Sequence, residues 1–151
     1  MALNLAVAMA QRGTRAAMID ADSDSGDVAT LCQLDDAHSL ADVLAGRSTV
    51  AGALQPGPGG IHVLAGIWAI ERVSDYPKAA CDSLVGQFAT LGDTADWILA
   101  DVGLASGAMA RRLCHAADLV ILVSTPSNEA IMDTYAAIKT LATRQPPILP
   151  A

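Results

Sequence analysis

Lysine is scarce in this chain. Lys78 and Lys139 are the whole supply in 151 residues, and with Lys and Arg together at 9 against 16 Asp and Glu the formal charge is −7. A nucleic-acid backbone is neutralised by clustered Lys and Arg, so this balance excludes nucleic acid as the main partner. Aromatic residues are also few: Trp68, Tyr76, Phe88, Trp97 and Tyr135. Their shortage disfavours an aromatic-rich β-sandwich, while abundant Ala, Val, Leu and Ile suit small-residue packing of helices on a sheet. Cys32, Cys81 and Cys114 are odd in number and far apart. That spacing fits neither a disulfide framework nor a Cys-x-x-Cys metal site, and reduced, mostly buried thiols are expected. No apolar run approaches the ~20 residues of a membrane span. Met1 to Ala10 lacks a basic start and runs into Gln11-Arg12-Gly13 rather than a cleavage site, so a cytoplasmic location is expected.

What is present is a chain of single-domain length, at which folding buries roughly 68–70% of the unfolded surface. Met1 to Arg12 is apolar almost all round and closed by Gly13, which predicts a helix buried on more than one side. Thr14 to Asp20 is a short apolar run ending in an acid. The stretch Ala-Asp-Ser-Asp-Ser-Gly-Asp that follows, residues 21–27, reads as a loop. Ser39 to Gly46 and Ser48 to Leu54 predict two short helices, each opened by a capping serine. The cluster from Pro56 to Gly60 is a turn, Ile61 to Leu64 a short strand, and Pro77 to Leu91 a helix with Ala80, Leu84, Val85, Phe88 and Leu91 toward a sheet. Asp96 to Asp101 and Asp118 to Ser124 are continuous apolar runs, as in strands buried on both faces of a parallel sheet, with a crossover helix over 106–116 between them. Ser127-Asn128-Glu129 caps a helix over 130–143, whose stripe is Ile131, Tyr135, Ile138 and Leu141. Strand and helix in alternation imply right-handed crossovers, hence an α/β fold of three layers with a mostly parallel sheet and helices on both faces.

In such sheets ligands sit beyond the carboxyl ends of the strands. The residues there are Asp20, Asp22, Asp101, Gly103, Thr125 and Pro126. Asp20 and Asp22 follow one strand and Asp101 ends another, an arrangement that could hold Mg²⁺ mostly through waters and orient a hydrolytic water. Taken singly, each is what strand ends and helix caps ordinarily carry.

Order and spacing add to this. MALNLAVAMAQRGTRAAMIDAD, a Gly-Asp loop, SLADVLAG, ALQPGPGGIHVLAG, DWILADVG, AADLVILVSTP and EAIMDTYAAIKTL together resemble the MinD/ParA group of P-loop ATPases nearly end to end. Within it the chain is most similar to the flagellar-number regulators of the FlhG/FleN kind, most specifically over 117–141. Bacterial tyrosine kinases share the first helix and the Asp-Ala-Asp strand but place basic residues after it, where this chain has Ser23-Asp24-Ser25-Gly26-Asp27. The resemblance implies a P-loop NTPase-like fold, ATP and Mg²⁺ as ligands, hydrolysis of ATP, and a homodimer that switches a protein partner or peripheral membrane binding in the intact form. It casts Asp20 and Asp22 as the acidic switch pair, with Asp22 positioning the attacking water. It casts Asp101 as the acid acting on magnesium through water, with Asp20 beside it, and Gly103 as the glycine of the second switch. Thr125 and Pro126 border the nucleotide. Val102-Gly103-Leu104-Ala105 stands where the group has Thr-Gly-Ala-Gly, and Trp68 occupies a loop of otherwise small residues.

One family feature is missing from these 151 residues. No Gly-x-x-x-x-Gly-Lys-[Ser/Thr] occurs, and Gly57 to Gly60 has no lysine after it. Met1 falls inside the helix that the phosphate loop would open, and Ile148 to Ala151 stops where a further strand would run, so the expectation is a single partial domain over 1–151, truncated at both ends. Without the first strand its neighbours would expose N–H and C=O groups unless they close together or recruit another chain. Two functions are therefore carried forward. One is an ATPase regulating flagellar number or cell-envelope positioning, inactive as this chain alone. The other is a non-catalytic interaction domain or truncated product that keeps only the fold. His38, His62 and His115 show no ligand spacing. Ser106 sits in Ala-Ser-Gly rather than a nucleophile elbow, and Arg111-Arg112 reads as a solvated helix face.

Overall fold

The computed structural model describes residues 1–22, 27–35, 38–66, 76–103 and 107–142. Helix α1 (Ala2–Ala10) ends before Gly13, whose φ of 86° turns the chain into β1 (Ala16–Asp20). Short helices α2 (Asp27–Cys32), α3 (Leu40–Leu44) and α4 (Val50–Ala53) lead to β2 (Gln55–Pro56), a 3₁₀ turn over Pro58–Gly60 and β3 (His62–Leu64). Helix α5 (Lys78–Phe88), β4 (Trp97–Asp101), α6 (Ala108–Ala116) and α7 (Asn128–Ala142) complete the order. The strands form one sheet in the order β2-β3-β1-β4, with β3, β1 and β4 parallel and β2 antiparallel at the edge.

β1 is buried along its whole length because it is apolar on both faces. On one face Ala16 and Met18 pack with Ala6 of α1, Ile61 and Val63. On the other, Ile19 joins Leu40, Leu44, Leu64, Leu84, Met109 and Leu113 from the helices of the opposite layer. Each fully buried Leu, Ile or Met contributes about 1.5–3 kcal/mol relative to exposure, which makes this strand the anchor of the site at its end. Arg15 fixes where β1 starts against β4: its guanidinium donates to the carbonyls of Asp93 at 2.7 Å and Gly92 at 3.0 Å and pairs with Asp96, while the Arg15 carbonyl accepts from Asp96 N–H at 2.8 Å. With the starts level, the ends are level too, and Asp20 lies in register with Asp101.

The capping serine expected at Ser39 is present in a box with Asp42. The Asp42 carboxylate accepts from Ser39 N–H at 2.9 Å and from its hydroxyl at 3.1 Å, and Arg47 Nε donates to it at 2.8 Å. The Ser39 amide and the Arg47 guanidinium hold the Asp42 carboxyl below the usual carboxylate range. Asp42→Ala is expected to cost about 1 kcal/mol, read as a lower denaturant midpoint at unchanged m-value.

Several expectations need correction. Residues 118–124 are not a strand: Leu119 to Val123 are exposed, and among the described residues 118–123 make no backbone hydrogen bond. An apolar run becomes a strand only when a neighbouring edge accepts its ladder, and β4 and this segment do not pair. Helix α1 buries one side rather than several, with Ala6 inside and Leu5 exposed. On α7, Ser127 Oγ accepts from Ala130 N–H at 3.2 Å as the capping pattern requires, but Ile131, Tyr135 and Ile138 face outward. β2 and α2 were not legible in the sequence. Cys81 is buried, Cys32 and Cys114 are half-buried, and all are free. Among the described residues no helix is long and apolar enough to cross a membrane.

Candidate functional site

The carboxyl ends of β1, β3 and β4 meet at one place. Asp20 closes β1, Asp101 closes β4, and Ala65-Gly66 follows β3. The ladder runs one step past the strands, with Ala21 N–H donating to the Asp101 carbonyl at 2.8 Å. This carries Asp22 over the end of β4. Asp22 N–H then turns back to Asp20 Oδ1 at 3.3 Å, and Gly103 N–H points at Asp101 Oδ1 at 3.5 Å.

Two glycines make room for the carboxylates. Gly103 has φ 57°, and a Cβ there would lie 2.5 Å from Asp22 Oδ1. A Cβ on Gly66 would lie 2.8 Å from Asp20 Oδ2. Gly66 was not singled out as a site residue in the sequence, although a glycine directly after a short strand, level with an acid on the next strand, is the signal that would have found it.

Asp20 is 1% exposed, and its Oδ2 is buried with no hydrogen-bond partner among the described residues. Burial pushes its pKa up to about 6, and the charges of Asp101 and Asp22 push the same way. The Asp22 amide, and to a smaller extent the nearby Gly66 amide, oppose the shift without giving Oδ2 a partner. A buried carboxylate oxygen left open, beside two further carboxylates, fits a hard cation or a polarised water. Among the described residues no group of three or more His, Cys, Asp or Glu is close enough to grip a metal directly. A Mg²⁺ at Asp20 and Asp101 would therefore keep most of its waters, consistent with its reluctance to dehydrate.

The structure thus brings Asp20, Asp22, Asp101 and Gly103 together. It does not bring Thr125 and Pro126 to them: both are exposed, Thr125 Oγ1 lies 3.4 Å from Ser127 Oγ in its own turn, and no hydrogen bond among the described residues joins either to the acids. Trp68 and residues 104–106, including Ser106, lie outside the described residues. His38 and His115 are exposed. Arg112 is not merely solvated, since its Nε pairs with Asp82 at 2.5 Å and ties α6 to α5.

Compared with models of known protein families, the chain matches none. Individual proteins do match. It is 30% identical over 139 residues to the antiactivator FleN of Pseudomonas aeruginosa, covering 92% of this chain and 50% of FleN. It is 27% identical over 145 residues to the flagellum site-determining protein YlxH of Helicobacter pylori, covering 90% of this chain and 46% of that protein. Among solved structures, the cell division ATPase MinD of Pyrococcus furiosus superposes with a TM-score of 0.74 at 26% identity, over 93% of this chain and 59% of MinD. MinD of Pyrococcus horikoshii, solved with Mg-ADP, shares the fold with a TM-score of 0.73 at 23% identity, over 93% of this chain and 57% of that one. The chain spans about half the length of the relatives it matches.

Proposed function

Because the chain belongs to the MinD/ParA family of deviant P-loop ATPases and resembles its FlhG/FleN members, we propose that it carries the switch-acid half of an ATP-hydrolysing site. The observation behind this reading is the meeting of Asp20, Asp22 and Asp101 at the ends of β1 and β4, with Gly66 and Gly103 yielding space to their carboxylates. In this reading Asp22, held over Gly103, accepts a hydrogen bond from the attacking water and orients it. Asp101 and Asp20 would hold a Mg²⁺ ion, mainly through its waters, and the buried Oδ2 of Asp20, which has no partner among the described residues, is an acceptor suited to that. The cation, when bound, would offset negative charge developing on transferring phosphate oxygens.

The cellular role proposed is a regulator of flagellar number or placement that dimerises in response to ATP; the likeness to a flagellum site-determining protein supports the flagellar part of this reading. The 151 residues contain no Gly-Lys-[Ser/Thr] phosphate loop. Calorimetry at millimolar Mg-ATP is therefore expected to show no saturable binding by this chain. Fusing a strand and a Lys-Gly-Gly-x-Gly-Lys-Thr loop ahead of Met1 is expected to restore binding and turnover. Asp22→Ala in the fused protein should then lower kcat by roughly 10²-fold or more, the scale for loss of a positioned acid or base. A fused protein that binds Mg-ATP but hydrolyses it equally well with and without Asp22 would overturn the assignment. A second reading, a non-catalytic interaction domain, is favoured by the exposed apolar residues between Leu119 and Ile138.

A further inference from the structure

Gly66 is a glycine that backbone conformation does not explain. At Gly13 and Gly46 φ is positive and a Cβ would meet nothing within 4 Å, so the torsion alone accounts for them. Gly66 is the reverse case. Its φ is not positive, yet a Cβ there would lie 2.8 Å from Asp20 Oδ2, 2.9 Å from Asp20 Cγ and 3.3 Å from the Asp20 carbonyl oxygen. Space beside a buried carboxyl is what keeps this position bare.

Helix α3 is what puts Gly66 there. The Ala65 carbonyl accepts from Leu40 N–H at 2.9 Å, and Leu40 is the first residue of α3, directly behind the Ser39–Asp42 box. In a trans peptide the C=O and the N–H that follows it point in opposite directions. With its carbonyl held by α3, this peptide turns the Gly66 N–H away from α3 and toward β1, where it lies close enough to the Asp20 carboxyl to favour the charged form. Oδ1 is already engaged by Asp22 N–H at 3.3 Å, while buried Oδ2 has no hydrogen-bond partner among the described residues. One peptide plane thus joins the start of α3 to the open oxygen of a buried acid.

We propose that the Ala65–Gly66 peptide is a positioning group for Asp20: Leu40 N–H holds its carbonyl, and its N–H and bare Cα face the carboxyl, keeping Oδ2 free to accept from the hydration shell of a divalent cation. This rests on the cation reading given above and adds the element that controls it. A side chain at 66 would fill the space beside Oδ2, and a slack peptide would let the carboxyl rotate away. Groups that hold a metal-binding side chain in place act on affinity without touching the ion. A displacement of α3 is then felt at the acids.

The test uses the full 151-residue chain, isotope-labelled for amide spectroscopy, with Mn²⁺ in place of Mg²⁺ so that proximity to the ion is read as paramagnetic broadening. Mn²⁺ should broaden the amides of Asp22, Gly66 and Gly103 saturably and before others. Gly66→Ala should weaken the apparent affinity roughly tenfold, the scale for loss of a group that orients a metal ligand. A backbone ester, made by replacing Leu40 with its α-hydroxy acid, removes the N–H and keeps the buried side chain. It should weaken Mn²⁺ binding about threefold, within the range of one hydrogen bond's contribution. The same change at Ala45, whose N–H donates to the Ala41 carbonyl at 2.9 Å within α3, should leave the affinity unchanged. A merely structural role would make the two esters alike, and this comparison decides the question even where Gly66→Ala does not fold. Unchanged affinity in a folded Gly66→Ala chain, or equal loss from the two esters, would overturn the positioning role and leave the cation reading standing. No broadening at the three amides of the wild-type chain would overturn the cation reading itself, and the proposal with it.

Discussion

The stability difference between the wild-type chain and Asp20→Asn is expected to shift by about 2 kcal/mol between pH 4 and pH 8, in favour of the variant at the higher pH. The folded-state pKa of Asp20, about 6, lies above the ordinary value of 3.8. The native state therefore holds on to this proton where the unfolded chain has released it. Stability that depends on neutral Asp20 is fully present below about pH 4, is lost as pH rises through 6, and stays lost above it. Asparagine fills the same space and never ionises, so it cancels the pH term while keeping any steric cost in both arms of the comparison. Urea unfolding at pH 4, 5, 6, 7 and 8 would read the difference directly. A constant gap across that range would show that the buried carboxylate is solvated or paired in the native state. The direction also distinguishes function from architecture: an acid kept only for stability would be held below its usual range, as Asp42 is by Ser39 and Arg47. A stability cost of Asp20 at neutral pH, if the urea series finds it, would match a residue retained for what it binds.

How much of this was readable beforehand depends on the distance over which the information acts. Local signals survived: Gly13 ending α1, the Ser39 box opening α3, Ser127 capping α7, and β1 as an apolar run closed by Asp20. These are set within a few residues, by caps and periodicity. The meeting of Asp20, Asp22 and Asp101 followed from the alternation of strand and helix, because parallel strands place their carboxyl ends on one side. What was misread was residues 118–124 and the outward stripe of α7. Their sequence has the pattern of buried elements, a continuous apolar run and a helical stripe, and the expectation rests on that pattern and on the family resemblance over 117–141. Burial, however, is a property of the pair, and neither Ile121 nor Tyr135 has an opposing surface among the described residues. The role of Gly66 was hidden for a related reason. Nothing near it in sequence shows that Asp20 Oδ2 will arrive where its side chain would be.

Gly103 offers the sharpest test of whether the acids are held or merely adjacent. Gly103→Val is expected to destabilise the chain by about 3 kcal/mol, a sum of two separable effects. The first is backbone: at φ 57° a β-branched residue is strained wherever it sits, by roughly 1–2 kcal/mol. The second is crowding, since even the Cβ would meet Asp22 Oδ1 at 2.5 Å and its Cγ at 2.8 Å. A double-mutant cycle with Gly103→Ala and Asp22→Ala separates them. Removing the Asp22 carboxylate should relieve the crowding and leave the backbone cost, so the double variant should be more stable than the sum of the single changes predicts by about 1–2 kcal/mol. Strict additivity would mean that Asp22 swings away from Gly103 at little cost. The carboxylate would then not be held over the glycine, and its place as the residue that orients a water would fall with it. Coupling of the expected size would show the opposite: the chain keeps a residue without a side chain at 103 so that Asp22 can stay where the ends of β1 and β4 put it.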